Sequence, residues 1–346
     1  MKLTSTTIVV LDERNAASRM TANRDGVVIT FYSYNGGTGR TMAIANIAWI
    51  LAANGKRVLV ADWDLESPGL HRYFGPFLDH ARFSRQGGII DLIREFEWAT
   101  AKESNSSSDW FDKYADVDAY AMALDWTFPS GGRLDILSAG RANHDYSASI
   151  QALDWDIFYE HLGGGQFLDA LRAAMKRRYD VTLIDSRPGV SDVAEICTVQ
   201  LPDELVVCFT FSEQSMVGAV QMARLVQQRA SARQIRVLPV PMRVDAPDSD
   251  RARAGRIIAM RRLPGLPAGL TEQERSTYWA EVTVPYSPSY AYEELLATFA
   301  ERPGQRPSLL ASYEALTAVL TRGAVTGLPA MDDAVRDAVL ARFTRP

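Results

Sequence analysis

The stretch VVITFYSYNGGTGRTMAIANIAWILAANGKRVLVADWDLESPGL, Val27 to Leu70, places two short apolar runs on either side of a glycine cluster and a long apolar segment. Val27 to Phe31 is continuous, apolar and rich in β-branched residues, the composition of a strand buried on both faces. From Thr41 to Ala53, the residues Met42, Ile44, Ala45, Ile47, Ala48, Ile50 and Leu51 surround almost the whole helical circumference. This predicts a buried helix, with Gly55 where its C-cap belongs. Val58 to Ala61 reads as the next strand and delivers Asp62 and Asp64 at its carboxyl end. Strand, glycine loop, helix and parallel strand make one βαβ unit.

The loop carries the first chemical signal. Backbone N–H groups of a glycine loop that opens a helix bind phosphate oxygens without requiring any particular side chain. Gly36, Gly37 and Gly39 supply the backbone freedom, and Thr38 and Met42 belong to the same cradle. Against the pattern G-x-x-x-x-G-K-[ST], the segment Tyr34 to Thr41 matches only at Gly39 and Thr41. Tyr34 stands for the first glycine and Arg40 for the lysine. Thr41 offers a hydroxyl to Mg²⁺, and Arg40 a planar cationic fork for β- and γ-phosphate oxygens. Downstream, YDVTLIDSRPGVSD places Asp185 at the end of another apolar strand, ahead of Gly189, as a second acid that reaches the metal.

Outward from this unit the alternation continues. Leu134 to Leu137, Val181 to Ile184, Leu205 to Phe211 and Ile235 to Val240 read as buried strands. Helical patterns lie at Gln166 to Arg178, Asp192 to Gln200 and Gln214 to Arg233. The expected fold is α/β: an open, mostly parallel, doubly wound sheet with helices on both faces. Residues from about 74 to 133 interrupt the rhythm with the polar tract ESNSSSD and with Trp98, Trp110, Phe111, Tyr114, Tyr120 and Trp126. That composition fits a packed helical elaboration or a face for a partner. At the end, Met331, Val335, Val339 and Phe343 recur at i, i+4 and predict an amphipathic helix that packs on the domain or on a partner. The resulting organisation is an extension at 1–24, a main domain at 25–322 and a terminal helical segment at 323–346.

Composition sets limits on function. The 346 residues are 47% hydrophobic and 23% charged, enough for a sizeable core. No stretch approaches the length of a membrane span, and MKLTSTTIVVLDERN lacks a signal core, so a cytoplasmic protein is expected. Cys197 and Cys208 suit core positions in a reducing compartment, and His71, His80, His144 and His161 show no metal-ligand spacing. The net charge of −5 argues against a broad nucleic-acid surface. The local cluster Arg251, Arg253, Arg256, Arg261 and Arg262, beside Asp248 and Asp250, reads as a solvated helix face and leaves nucleic acid a minor alternative.

NGGTGRT, VLVADWDLESPGL and YDVTLIDSRPG resemble the motifs of the MinD/ParA branch of P-loop ATPases, whose deviant Walker A loop is K-G-G-x-G-K-[ST]. More narrowly, FYSYNGGTGRTMAIANIAW, DWDLESPGLHRYF, LIDSRPGVSD and CTVQLPD are similar to a bacterial subgroup with a KGGVGR-type loop. The match runs from about Val27 to Gln214, with weaker echoes at LPVPMRVD and VPYSPSYAYEELL.

The resemblance implies a Mg·ATP-binding switch that hydrolyses ATP slowly, forms a homodimer in the ATP state, and regulates a protein client in a bacterial signalling or defence system. It implies phosphate and metal contacts from Gly37, Gly39, Arg40 and Thr41, water positioning by Asp64, metal-shell support from Asp62, and a Walker B role for Asp185. Arg243, Asp245 and Pro285 fall where the branch contacts adenine. Asn35 departs from the pattern: the branch carries there a lysine that reaches the partner's phosphates. Pro188 replaces the subgroup's threonine. Two further readings stand beside the switch, a nucleotide-binding scaffold without turnover and a DNA-positioning ATPase. An iron-sulfur reductase is disfavoured because the cysteines lack C-x-x-C spacing. A tyrosine kinase of the branch is disfavoured because DAVLARFTRP has no tyrosine.

Overall fold

The computed structural model describes residues 25–102, 110–141, 145–229, 233–291, 293–305 and 308–343. The expected extension 1–24, the tract ESNSSSD, His144 and residues 344–346 lie outside the described residues. Along the chain run β1 (Val27–Ser33), α1 (Arg40–Ala53), β2 (Arg57–Trp63), α2 (Ile89–Thr100), β3 (Met122–Ala123), β4 (Arg133–Leu137), α3 (Gly164–Arg178), β5 (Val181–Ser186), β6 (Glu204–Phe209), α4 (Glu213–Arg229), β7 (Arg236–Pro241), α5 (Asp250–Arg262), α6 (Leu309–Leu320) and α7 (Asp333–Phe343), with shorter turns of helix between them.

The strands form one seven-stranded sheet in the order β3-β4-β2-β5-β1-β6-β7, parallel throughout except where β3 pairs with β4. β5 therefore lies between the two strands of the opening βαβ unit. Its register sets Asp62 of β2 beside Asp185 of β5. Every residue of β5 and β6 is buried, as continuous apolar strands covered on both faces require.

One core lies on the α1 face and the other on the face covered by α2 and α3. α1 is apolar all round because α6 packs on the side away from the sheet. Its Trp49 is fully buried against Phe77, Phe128 and Phe299, with ring centroids 4.6, 5.0 and 4.8 Å away. The helix ends at Asn54, and Gly55 follows it in the left-handed conformation, φ 81°, as the residue after the cap.

The aromatic insertion is mostly packed rather than displayed. Phe77 and Trp126 join the α1 core; Phe96, Trp110, Phe111 and Tyr114 join the α2/α3 core; Trp98 alone among the insertion's tryptophans is strongly exposed, at 63%. The insertion is not wholly helical: β3, two residues long, extends the sheet edge, too short for any periodicity to reveal. At the C-terminus, α7 packs on the domain, with Phe343 against Phe77 and Val339 buried. The expected apolar line fails at Val335, which is 42% exposed. Arg336 takes the inward position instead, because its guanidinium donates to the free carbonyls of Phe299 and Glu301.

Candidate functional site

The carboxyl ends of β1, β2 and β5 converge on the glycine loop, where a cavity of about 510 Å³ opens. Gly37 and Gly39 sit in the left-handed region, φ 71° and 92°, which side chains with a Cβ resist. Gly36 does not, and a Cβ there would meet nothing within 4 Å, so its smallness is not what shapes the loop. Gly39 caps α1 without any side-chain acceptor, and the first turn carries no acid. The helix thus presents uncapped backbone donors to the cavity, the arrangement that attracts anions.

Asp185 is 1% exposed and does not itself border the cavity; it reaches the site through Thr41 and Arg40. Thr41 Oγ1 donates to its Oδ2 at 2.7 Å, and Arg40 Nε donates to its Oδ1. The same guanidinium reaches Asp64 Oδ2 at 3.2 Å and Ser33 Oγ at 3.3 Å. Arg40, 6% exposed, is therefore folded down onto both acids instead of standing open toward the cavity. Burial acts against the guanidinium charge, but Asp185 and Asp64 outweigh it, so the Arg40 pKa lies above its ordinary value. Asp64 lines the cavity; burial lifts its carboxyl above the usual range, opposed by Arg40.

Asp62 behaves differently from its neighbour. It is 1% exposed, and its two oxygens accept the backbone N–H groups of Asp64, Gly69 and Leu70. Burial first, then the adjacent Asp185, pushes its carboxyl up to about 8. Asp62 fixes the turn that follows β2 and does not border the cavity. Thr41 and Asp185 together present hard oxygen donors at one point, the kind Mg²⁺ takes alongside water and phosphate. Among the described residues no group of three or more His, Cys, Asp or Glu is disposed to hold an ion.

At the other end, Arg243 lies over the Tyr286 ring at 4.6 Å and donates from Nη1 to Gly37 O at 2.5 Å. Its own backbone is left-handed, φ 51°. Met242, Val284 and Pro285 complete an apolar wall beside this stacked pair. Arg243 and Pro285 thus reach the site, while Asp245 is exposed and off the cavity. Thr38 borders the cavity, 2% exposed, and its hydroxyl has no hydrogen-bond partner among the described residues.

Asn35 is half-buried and does not line the cavity; its backbone is not left-handed, and its enclosed Oδ1 finds no partner among the described residues. Pro188 does line it, in a loop tied to β1 by Tyr32 Oη donating to Gly189 O at 3.1 Å. Sequence reasoning missed Ser33, Ser67, Tyr73, Tyr286, Tyr290 and Tyr313, all on the cavity wall. Ser33 falls within FYSYNGGTGRT, Ser67 and Tyr73 within DWDLESPGLHRYF, and Tyr286 and Tyr290 within the echo VPYSPSYAYEELL; Tyr313 alone carries no motif.

The arginine cluster lies on α5. Arg253 pairs with Asp250 at 2.6 Å, Arg262 with Glu213 at 2.8 Å, and Arg256 donates to Pro247 O. Two of the cluster's five charges are thereby paired with acids within the chain. Cys197 and Cys208 are free and fully buried, as core residues. Among the described residues no helix is long and apolar enough to cross a membrane.

The fold has counterparts in solved structures. The structure is similar to Cyanothece McdA in complex with ATP, with TM-score 0.58 and 15% identity over 89% of this chain and 99% of the other. It is similar to the cell-division ATPase MinD of Pyrococcus furiosus, with TM-score 0.52 and 15% identity over 86% and 99%. A ParA-family ATPase of Chlorobium tepidum gives TM-score 0.52 and 18% identity over 84% and 98%. The chain has the MinD/ParA-like P-loop ATPase fold.

No protein-family model matches the chain. Among curated proteins, the "putative tyrosine-protein kinase EpsB" of Ralstonia nicotianae and of Ralstonia solanacearum are 39% identical over 57 residues, 16% of this chain. That match spans 7% of the kinases' own length.

Proposed function

We propose that the chain is a cytoplasmic Mg·ATP-dependent switch: it binds ATP and ADP, hydrolyses ATP slowly, dimerises in the ATP state, and regulates a protein client. The resemblance to the KGGVGR-type subgroup supports a place in bacterial signalling or defence. The observation that carries the reading is the uncapped N-terminus of α1, opening on the cavity directly above the Thr41–Asp185 pair.

In this reading the amides of Gly37 to Thr41 hold the phosphates, Thr41 and Asp185 hold Mg²⁺, and the Arg243–Tyr286 wall receives the base. Bound Mg²⁺ would neutralise charge on the phosphates during transfer. Asp64, on the cavity wall, accepts a hydrogen bond from the attacking water and orients it. Arg40 leaves its two carboxylates to meet the phosphate oxygens, so nucleotide entry exchanges an internal ion pair for an external one. Asn35 brings no charge to a partner subunit's phosphates, which keeps turnover slow.

Calorimetry with Mg·ATP tests the reading: the wild type binds, and Thr41→Ala binds at least several-fold more weakly. Equal affinities would remove Thr41 from the metal site, and no binding at all would end the proposal. A specific observation favours one alternative, a nucleotide-binding scaffold without turnover: Arg40 already satisfies both Asp64 and Asp185. Phosphate release from bound Mg·ATP separates that alternative from a slow ATPase.

A further inference from the structure

Apart from the glycine loop and the Arg243–Tyr286 wall, the same cavity is bordered by Tyr73, Tyr290 and Tyr313, none of which has a part in the reading above. They converge from three separate segments: the helical turn Leu70–Phe77, the turn Pro288–Ala291, and α6. Tyr313 is fully buried, and its hydroxyl has no hydrogen-bond partner among the described residues. Leaving a buried donor unmade is costly, so a group that pairs with it gains more than it would in water.

The chemistry of this wall restricts what it can receive. Burial holds Tyr313 and Tyr290 far above the ordinary tyrosine value and lifts Tyr73 to about 12, so all three hydroxyls keep their protons at neutral pH. Tyr290 already donates to Glu301 Oε1 at 3.0 Å. The three tyrosines bring no cation of their own, and the acids Glu294 and Glu301 stand near them, Glu294 paired with Arg72 at 3.5 Å. A phosphate is therefore disfavoured there, while a neutral hydroxyl can accept from one tyrosine and donate to another.

With phosphates assigned to the N-terminus of α1 and the base to Arg243 and Tyr286, the part of a nucleotide left for this wall is its sugar. We infer that Tyr73, Tyr290 and Tyr313 form a sugar subsite, in which the buried Tyr313 hydroxyl reads a ribose hydroxyl and selects ribonucleotides over deoxynucleotides. The inference rests on the nucleotide-switch reading and adds a specificity-determining residue to it.

The test is calorimetric titration of wild type and Tyr313→Phe with Mg·ATP and with its 2′-deoxy and 3′-deoxy analogues. The wild type should bind one deoxy analogue roughly 5- to 150-fold more weakly than ATP, the range set by leaving a buried donor unpaired. The analogue that weakens identifies the hydroxyl. Tyr313→Phe should bind ATP with that weakened affinity and lose the discrimination. Its ligand-free melting temperature should not fall, because the hydroxyl removed has no partner. Discrimination that persists in Tyr313→Phe, or that is absent from the wild type, overturns the sugar subsite while leaving nucleotide binding intact. A wild type that binds none of the three nucleotides overturns both.

Discussion

Replacing Arg40 with alanine removes the partner of two carboxylates at once. In the ligand-free protein the Arg40 side chain is 7% exposed, Asp185 2% and Asp64 13%, so neither acid has much water to turn to. Asp185 keeps the Thr41 hydroxyl as a donor, and nothing replaces the cation. Breaking a buried ion pair by deleting one member costs about 3–5 kcal/mol, because the remaining charge is left uncompensated. The guanidinium also reaches Ser33, so a loss near the upper end is expected. The penalty depends on pH. Burial already lifts the Asp64 carboxyl and Arg40 opposes that lift, so without Arg40 Asp64 in the folded state holds its proton to higher pH than in the unfolded one, and stability falls as pH rises through that window. Urea unfolding without nucleotide should therefore show a loss of about 3–5 kcal/mol at pH 8 that shrinks toward pH 5. Arg40→Lys should lie between, since one ammonium cannot fork across both acids. A loss below about 1 kcal/mol at pH 8, the scale of an exposed ion pair, would refute the view that Arg40 neutralises the site.

Asp64→Ala should lower the single-turnover hydrolysis rate by at least about 100-fold, the lower range for a positioned base, with little change in Mg·ATP affinity. Unchanged turnover would reduce Asp64 to a structural partner of Arg40. Asn35→Lys should raise hydrolysis or tighten ATP-dependent dimerisation, measured by phosphate release and by light scattering; a cation at a partner's phosphates is worth roughly 10³–10⁵ in rate in related enzymes. Because the Asn35 backbone is not left-handed, lysine there meets no backbone strain. Unchanged rate and assembly, with a lower melting temperature, would show that the asparagine serves the loop alone.

Read without any structure, the sequence determined the elements whose signals are local. The apolar runs at Val27 and Val58, the all-apolar circumference of α1, and the glycines at 37 and 39 each depend on neighbours within one turn or one pleat, so they identify strand, helix and loop directly. The glycine loop that opens α1 was legible for the same reason: backbone amides at the start of a helix need only the chain that forms them. What only the tertiary structure decided are pairings between distant segments. β5 inserts between β1 and β2, and its register alone sets Asp62 beside Asp185. Two acids one residue apart then separate in role: Asp64 meets Arg40 on the cavity wall, while Asp62 turns into the backbone of residues 64–70. Arg40 looks like a free phosphate ligand in sequence, yet it is held by an acid 145 residues away. Tyr313, on a helix that carries no motif, reaches the cavity because α6 covers the outer face of α1. A side chain's charge environment and hydrogen-bond partners are set by whatever the packed chain brings within a few ångströms, and no local pattern encodes that.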